Sequence, residues 1–302
     1  NLTKQRASFE VISKIFNFLE QFGWKPIKEK DCVIGLSREG QSITLEPGNQ
    51  IELSGKKLNS VHLNCSESYK YLDELRKACK KLDLKMMSVS FDPFTKLENV
   101  PQTPKQRYEI MTKEMPKDGK LSLHMMYQTC GTQINLDYIS EKDFIKKFKL
   151  SSFLVPISTA IFANSPIVEN SLSGYLSYRS KVWQNTSRAG LPKIFLEDMD
   201  FEKYTDFVIN MPLLFVLKNS KHLNAEGKNF KDFMDGKLSI LKNVKPNIVD
   251  FKNHLATIFT EVRLKKYIEI RSLDTCEWDC HCGGPAFYAG LLYGNLDSAY
   301  EI

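Results

Sequence analysis

Along Arg263-Leu264-Lys265-Lys266-Tyr267-Ile268-Glu269-Ile270-Arg271 a period of two sets Arg263, Lys265, Tyr267, Glu269 and Arg271 on one face. The apolar Val262, Leu264, Ile268 and Ile270 fall on the other. Three cations and a carboxylate in such a row are groups that hold phosphate oxygens and a metal ion, since guanidinium meets phosphate bidentately and carboxylate suits a hard divalent cation. A solvated strand face with cross-strand ion pairs has the same pattern, and periodicity alone leaves both readings open.

A second pair of acids stands in Ile43-Thr44-Leu45-Glu46-Pro47-Gly48-Asn49-Gln50-Ile51-Glu52-Leu53, where Glu46 and Glu52 share the face opposite Ile43, Leu45, Ile51 and Leu53. Two carboxylates converging on one side of a sheet repel unless a cation lies between them, and Mg²⁺ is the usual one; plain solvent exposure is the alternative. Gln133 and Asn135 alternate with Ile134 and Leu136, which places two amides together to bind a polar ligand or each other. Arg107, and Arg179 with Trp183, are further candidates for binding a carboxylate. The chain has no G-x-S-x-G, H-E-x-x-H, G-x-x-x-x-G-K-[ST] or G-x-G-x-x-G. Its five histidines are dispersed, and His254 reads as a local structural group.

These groups need elements to carry them. Phe9, Ile12, Ile15, Phe16, Leu19 and Phe22 predict an amphipathic helix ending at Gly23, and Ser68 to Leu82 predicts a second. Ser140-Glu141-Lys142-Asp143 ahead of Phe144, Ile145 and Phe148 reads as a capping box opening a third, and Phe201 to Ile209 is the fourth. Strands are expected over 32–36, 42–46, 50–53, 85–91, 130–138, 213–217 and, as one continuous run, 262–271. Pro47-Gly48-Asn49 is a tight turn between two of them, and 92–106 and 170–194 read as loops. Strands and helices mix without strict alternation, so the expectation is one α+β domain over 1–302 built on an antiparallel sheet.

The chain has 302 residues, 42% hydrophobic and 26% charged, enough for a sizeable core, and no apolar run long enough to span a membrane. The 42 Lys+Arg against 36 Asp+Glu give +6, scattered rather than striped, which argues against nucleic acid as a partner. Seven cysteines without disulfide-scaffold density predict a reducing, cytoplasmic compartment, with a removed organelle-targeting segment as the open alternative. Cys276, Cys280, His281 and Cys282 match no common zinc spacing, and they are expected to be mainly ordinary thiols.

Taken together, these stretches resemble the glutamate-cysteine ligase family of the plant and proteobacterial type. The resemblance runs through Ile43 to Gly55, Arg107-Tyr108-Glu109-Ile110-Met111 with Met115-Pro116-Lys117, and Phe162-Ala163-Asn164-Ser165-Pro166. It continues through Tyr175 to Ser180, Glu261 to Arg271, Pro285-Ala286-Phe287 and Gly290-Leu291-Leu292-Tyr293. It implies a glutamine synthetase-like fold, a curved antiparallel sheet shaped like a funnel and flanked by helices. The activity implied is ATP-dependent: phosphorylation of the γ-carboxylate of L-glutamate, then attack by the amine of L-cysteine to give γ-glutamylcysteine, the first step towards glutathione. The resemblance assigns Glu46, Glu52 and Glu269 to Mg²⁺, and Arg263, Lys265 and Arg271 to the phosphates of ATP. It sets Arg107, Arg179 and Trp183 around the amino-acid pocket with Gln133 and Asn135 facing the same cavity, and it makes Arg263 and Arg179 the catalytic pair. The family's acidic E-H-E strand ahead of the first helix and its helical segment beyond Leu-Leu-Tyr-Gly are not among these residues. Gly131 stands where a hydroxyl side chain is common, and Leu214 where an aromatic is common. The other readings are a sister ligase joining glutamate to a different amine, and a non-catalytic homologue.

Overall fold

The computed structural model describes residues 4–29, 31–277 and 280–301. Helix α1 (Phe9–Leu19) starts at Ser8, whose hydroxyl accepts from the Val11 N–H, and buries Ile12, Ile15, Phe16 and Leu19. A single 3₁₀ turn follows, and the chain stops at Gly23 with φ 87°, a left-handed stop that glycine adopts without a Cβ clash. Strands β1 (Lys25–Glu29), β2 (Cys32–Arg38), β3 (Gln41–Leu45) and β4 (Ile51–Ser54) then form an antiparallel sheet in chain order. Its apolar face, with Leu36, Ile43 and Leu45, closes over α1 and over Tyr71, Leu75 and Ala78 of α2 (Val61–Lys81). Helix α2 begins at Ser60, a turn and more before the expected Ser68, because the polar first turns carry no apolar stripe to read.

Next come α3 (Gln106–Glu114), α4 (Ser122–Gln128), β5 (Thr132–Leu136), α5 (Glu141–Ile161), the short hairpin β6 (Ile167–Val168) and β7 (Ser171–Leu172), and α6 (Tyr178–Gln184). They are followed by α7 (Phe201–Asn210), the hairpin β8 (Phe215–Lys218) and β9 (Lys221–Asn224), α8 (Phe230–Met234), α9 (Ile248–Leu255), β10 (Val262–Leu264), β11 (Ile268–Leu273), α10 (Gly283–Ala289) and α11 (Leu296–Glu301). Strands β10, β11 and β5 make a second antiparallel sheet in that order, whose apolar face (Ile134, Leu136, Val262, Ile268, Ile270) packs on Phe144, Phe148, Leu154 and Val155 of α5. The class is α+β; among the described residues the strands pair antiparallel, divided between a four-stranded sheet, a three-stranded sheet and two hairpins, with Ser165 and Ser177 forming an isolated parallel bridge. Among the described residues no helix is long and apolar enough to cross a membrane.

Three local expectations are corrected. The run 262–271 is not one strand: it folds back over 265–267, with the Lys265 N–H donating to the Tyr267 carbonyl. An odd-numbered turn preserves the alternation, so pattern alone cannot separate a straight strand from this hairpin. Residues 85–91 form no strand; only Phe91 pairs, as an isolated bridge to Thr129. The loop 170–194 contains α6, opened by Ser177, whose hydroxyl accepts from the Ser180 N–H. Outside the site, His254 is structural as expected: Nε2 pairs with the Val208 carbonyl at 2.8 Å, the ring stacks on Phe230, and burial pulls its pKa down to about 4.

Candidate active site

The hairpin turns a row of charges into a lattice. Arg263 on β10 is the cross-strand partner of Glu269 on β11, and Asn135 on β5 is the partner of Glu269 on its other side. Arg263 Nε donates to Glu269 Oε2 at 2.5 Å, Arg271 Nη1 donates to the same oxygen at 3.2 Å, and Lys265 Nζ donates to Oε1 at 3.2 Å. Arg263 is anchored further by Nη1 to the carbonyls of Ala256 (3.1 Å) and Ile258 (2.7 Å). Burial opposes ionisation of Glu269, but Arg271, Arg263 and Lys265 outweigh it and hold the carboxyl far below the usual range. The three cations converge on one carboxylate inside the protein, Arg263 and Glu269 being buried.

Arg179 and Trp183, one turn apart on α6, join this cluster. The Trp183 ring lies 4.3 Å from the Arg179 guanidinium and 5.2 Å from that of Arg271. Arg179, 2% exposed, donates from Nη2 to the Arg271 carbonyl at 2.6 Å, and its Nη1 sits 3.9 Å from Asp274 Oδ1. Gly131 leaves room for this guanidinium, since a Cβ at that position would stand 2.8 Å from Arg179 Nη2 and the side chain would have to shift. Burial, then Arg263, pull the Arg271 guanidinium down to about 10 despite Glu269 and Glu52. Arg179 Nε and Nη1, Arg271 Nε, Trp183 Nε1 and Glu261 Oε1 are buried without a hydrogen-bond partner. Unpaired buried polar groups cost about 1–3 kcal/mol each, so such a cluster is a place shaped for a polar ligand.

The carboxylates of the first sheet stand across from this face. Glu52, half-buried on β4 opposite Thr44, has its carboxyl pushed up to about 7 by burial, by Glu46 and by Glu269, with Arg271 and Arg263 opposing. The polar faces of the two sheets are therefore within electrostatic reach of each other. The turn that carries Glu46 is locked: the Asn49 N–H donates to the Glu46 carbonyl at 3.0 Å, and a Cβ on Gly48 would lie 2.3 Å from the Tyr127 carbonyl oxygen. Among the described residues no three acidic, His or Cys groups come together as a preformed metal cluster, and Glu269 is engaged with cations rather than with Glu46 and Glu52.

Arg107 is carried by α3. Its Nη2 donates to Tyr108 Oη at 2.9 Å and its charge acts on Glu46 and Glu29, so it belongs to the Glu46 end. Gln133 and Asn135 are exposed on the polar face of β5, opposite buried Ile134 and Leu136. Sequence reasoning missed Asp274, whose carboxylate accepts from the Asn164 N–H, Ser165 Oγ and Ser177 Oγ and so fixes the base of α6 beside Arg179. It also missed Lys105, which donates to the Leu45 carbonyl at 2.6 Å and whose ammonium burial pulls down to about 8. Neither lies in a periodic pattern. Ser165 and Ser177, already part of the matched stretches, were the one available signal for Asp274.

A buried lattice of Arg and Lys beside paired carboxylates, on antiparallel sheets of an α+β fold, has the equipment of a phosphate-handling enzyme site. The family model for glutamate-cysteine ligase family 2 matches residues 3–302, and the chain belongs to that family. It is 43% identical over 298 residues to the chloroplastic glutamate–cysteine ligase of Nicotiana tabacum, covering 97% of this chain and 57% of the tobacco protein. Ligase B of Oryza sativa subsp. japonica is 44% identical over 295 residues (96% and 60%), and the Arabidopsis thaliana enzyme 41% over 304 (99% and 58%). The chain thus spans 57–60% of the length of these relatives.

The cytoplasmic expectation is overturned, since these relatives are all named as chloroplastic. A cysteine count reports on redox conditions, not on which membrane encloses the protein. The free-thiol reading also falls for one pair: Cys65 on α2 is bonded to Cys282 at the start of α10, with Cα atoms 5.7 Å apart, while Cys276 and Cys280 are free.

Proposed function

We propose that the protein joins the γ-carboxylate of L-glutamate to the amine of L-cysteine at the expense of ATP, through γ-glutamyl phosphate. One observation carries this reading: Arg263, Lys265 and Arg271 gather on Glu269 beside a buried cluster of unpaired donors from Arg179, Arg271 and Trp183. Phosphoryl transfer asks a protein for positioning and charge neutralisation more than for covalent chemistry. In this reading Arg263, Lys265 and Arg271 meet the phosphate oxygens as the transferring group moves, and Glu269 keeps the three cations in register between turnovers. Arg179, stacked on Trp183 and braced by Asp274, holds the carboxylate of the amino acid. Arg107, at the Glu46 end, and the exposed amides of Gln133 and Asn135 complete the walls of the substrate cavity.

Glu46 and Glu52 fit Mg²⁺: a like-charged pair in which one carboxyl is pushed up to about 7 is relieved by a cation between them. Mg²⁺ is commonly held by one or two carboxylates together with substrate phosphates, so no preformed trio is required, and its contribution would be to neutralise phosphate charge. Glu269 would join it only on releasing part of its hold on the cations.

The test is ADP release by the full-length protein with glutamate, with and without cysteine and Mg²⁺, followed by mass analysis of the product. Cysteine-dependent turnover giving γ-glutamylcysteine supports the reading. Turnover only with another amine would make the protein a sister ligase, and none with any amine would make it a non-catalytic member of the family.

A further inference from the structure

Glu261 contributes one unpaired acceptor, Oε1, to the buried cluster around Arg179. It sits at the entrance to β10 with its backbone fixed on both sides, its N–H donating to the Gly190 carbonyl and its own carbonyl accepting from the Arg271 N–H, both at 2.8 Å. That pairing continues the lattice by one step, because Glu261 faces Arg271 as Arg263 faces Glu269. The two acids are in opposite situations, however. Glu269 is bonded by three cations, whereas Glu261, 2% exposed, keeps Oε1 without any partner. Burial pushes its carboxyl up to about 7, and the nearby Arg179 charge opposes this without bonding it. Arg179 itself retains Nε and Nη1, Arg271 retains Nε and Trp183 retains Nε1, all buried and unpaired. A buried cluster with several free donors and one free acceptor is complementary to a ligand bearing an anion and a cation close together, as an α-amino acid does.

We propose that Glu261 is the binding residue for the α-ammonium group of the glutamate substrate, opposite an α-carboxylate held by Arg179. The inference rests on the ligase reading above. Glu261 and Arg263 are two residues apart along one face, roughly 6.6 Å at the rise of a strand, which suits a glutamate whose α-groups lie at Glu261 and whose γ-carboxylate reaches the phosphate-handling cations. Glutamate, rather than cysteine, is the amino acid that fits. The cysteine amine must present a free lone pair to attack, and a carboxylate partner would keep it protonated. The glutamate α-amine must instead be kept inert, because in γ-glutamyl phosphate its nitrogen can attack the activated carbonyl carbon, expel inorganic phosphate, lose a proton and close a five-membered lactam. A carboxylate holding it as ammonium removes the lone pair that this side reaction needs.

The test compares the wild-type protein with Glu261→Gln, using glutamate and glutarate, the same diacid without the amino group. Steady-state ADP release is measured in the presence of cysteine, and lactam and dipeptide are quantified by mass spectrometry. Wild type should prefer glutamate over glutarate by about 100-fold in kcat/KM, mostly through KM. Glu261→Gln should lose most of that preference, raise KM for glutamate while KM for ATP moves less than about twofold, and increase the ratio of lactam to dipeptide. Both the preference and the product ratio are independent of how much of the variant folds. Full retention of the preference in Glu261→Gln, or an equal loss with both diacids, would overturn the assignment. If the variant yields no folded protein, the ¹³C resonance of the Glu261 carboxyl in the wild type decides: it should shift on adding glutamate but not glutarate, and an equal shift or none would be fatal. Absence of any glutamate-dependent ADP release by the wild type would instead sink the ligase reading itself.

Discussion

Glu269 and Glu52 are the same chemical group, placed in the two larger sheets within electrostatic reach of each other, yet the protein holds them in opposite states. Glu269 is buried and bonded by Arg263, Arg271 and Lys265, which depress its pKa strongly. Glu52 is half-buried, crowded by Glu46 and Glu269, and pushed up to about 7. What separates them is where the cations come from. The hairpin β10–β11 and its odd turn supply cations to Glu269 from its own sheet, whereas β3–β4 offer Glu52 another carboxylate. The second sheet is assembled as a self-neutralised anchor, whereas the first sets two like charges side by side with no cation of its own between them.

The sharpest way to break this contrast is Glu269→Ala, which strands three cations of the lattice. Urea unfolding should show a loss of about 3–5 kcal/mol, the usual result of removing one partner of a buried ion pair, and activity should disappear. Glu52→Gln should do the reverse: Mg²⁺-dependent ADP release falls at least about 1000-fold while metal-free stability at pH 7 rises by roughly 2 kcal/mol. A loss of stability comparable to that of Glu269→Ala would show that Glu52 is anchored as well.

Titration checks the same contrast by its sign. Glu52 has a raised folded pKa, so in metal-free protein the folded state carries more protons between about pH 4.5 and 7, and the gain of Glu52→Gln over wild type should grow as pH rises through that window. Glu261, also pushed up to about 7, acts in the same direction in both proteins. Glu269, depressed, contributes stability that is present above about pH 4.5 and is lost below it as the carboxyl protonates. Denaturant melts at pH 3.5, 5 and 7 on wild type and Glu52→Gln distinguish the two effects, and a difference that stays constant across pH would refute the assignment for Glu52.

Arg179→Ala should lower kcat/KM for glutamate by about 100-fold with KM for ATP little changed, because Asp274 keeps its other three donors and the base of α6 stays in place. Unchanged glutamate kinetics would remove Arg179 from the amino-acid pocket. The smallest effect is expected for Asn135→Ala, an exposed amide beside Glu269 in the sheet: a rise in KM of about threefold, with no change in the unfolding midpoint.

Much of this was legible from the residues alone because the relevant signals are local. The apolar stripes of α1 and α7, the stop at Gly23, the turn after Glu46 and the shared faces of Glu46 with Glu52 and of Gln133 with Asn135 follow from periods of 3.6 and 2. The hairpin at 265–267 was invisible for the opposite reason: its odd turn keeps the same parity as a straight strand. Helix α6 was hidden among turn-forming residues, and Asp274 and Lys105 lie outside any repeat.

The sequence by itself determined the α+β class and the antiparallel pairing, since each depends on spacing along a few consecutive residues, and for the candidate site it supplied a set of candidates that lacks Asp274 and Lys105. Tertiary structure alone decided that Arg263, Lys265 and Arg271 meet on Glu269, that Arg179 and Arg271 share the Trp183 ring, that Cys65 bonds Cys282 and that Glu261 is left without a partner. Those pairings join groups brought together by chain reversal and by packing across up to 217 residues, and both their charge states and their unmet hydrogen bonds exist only once water has been excluded.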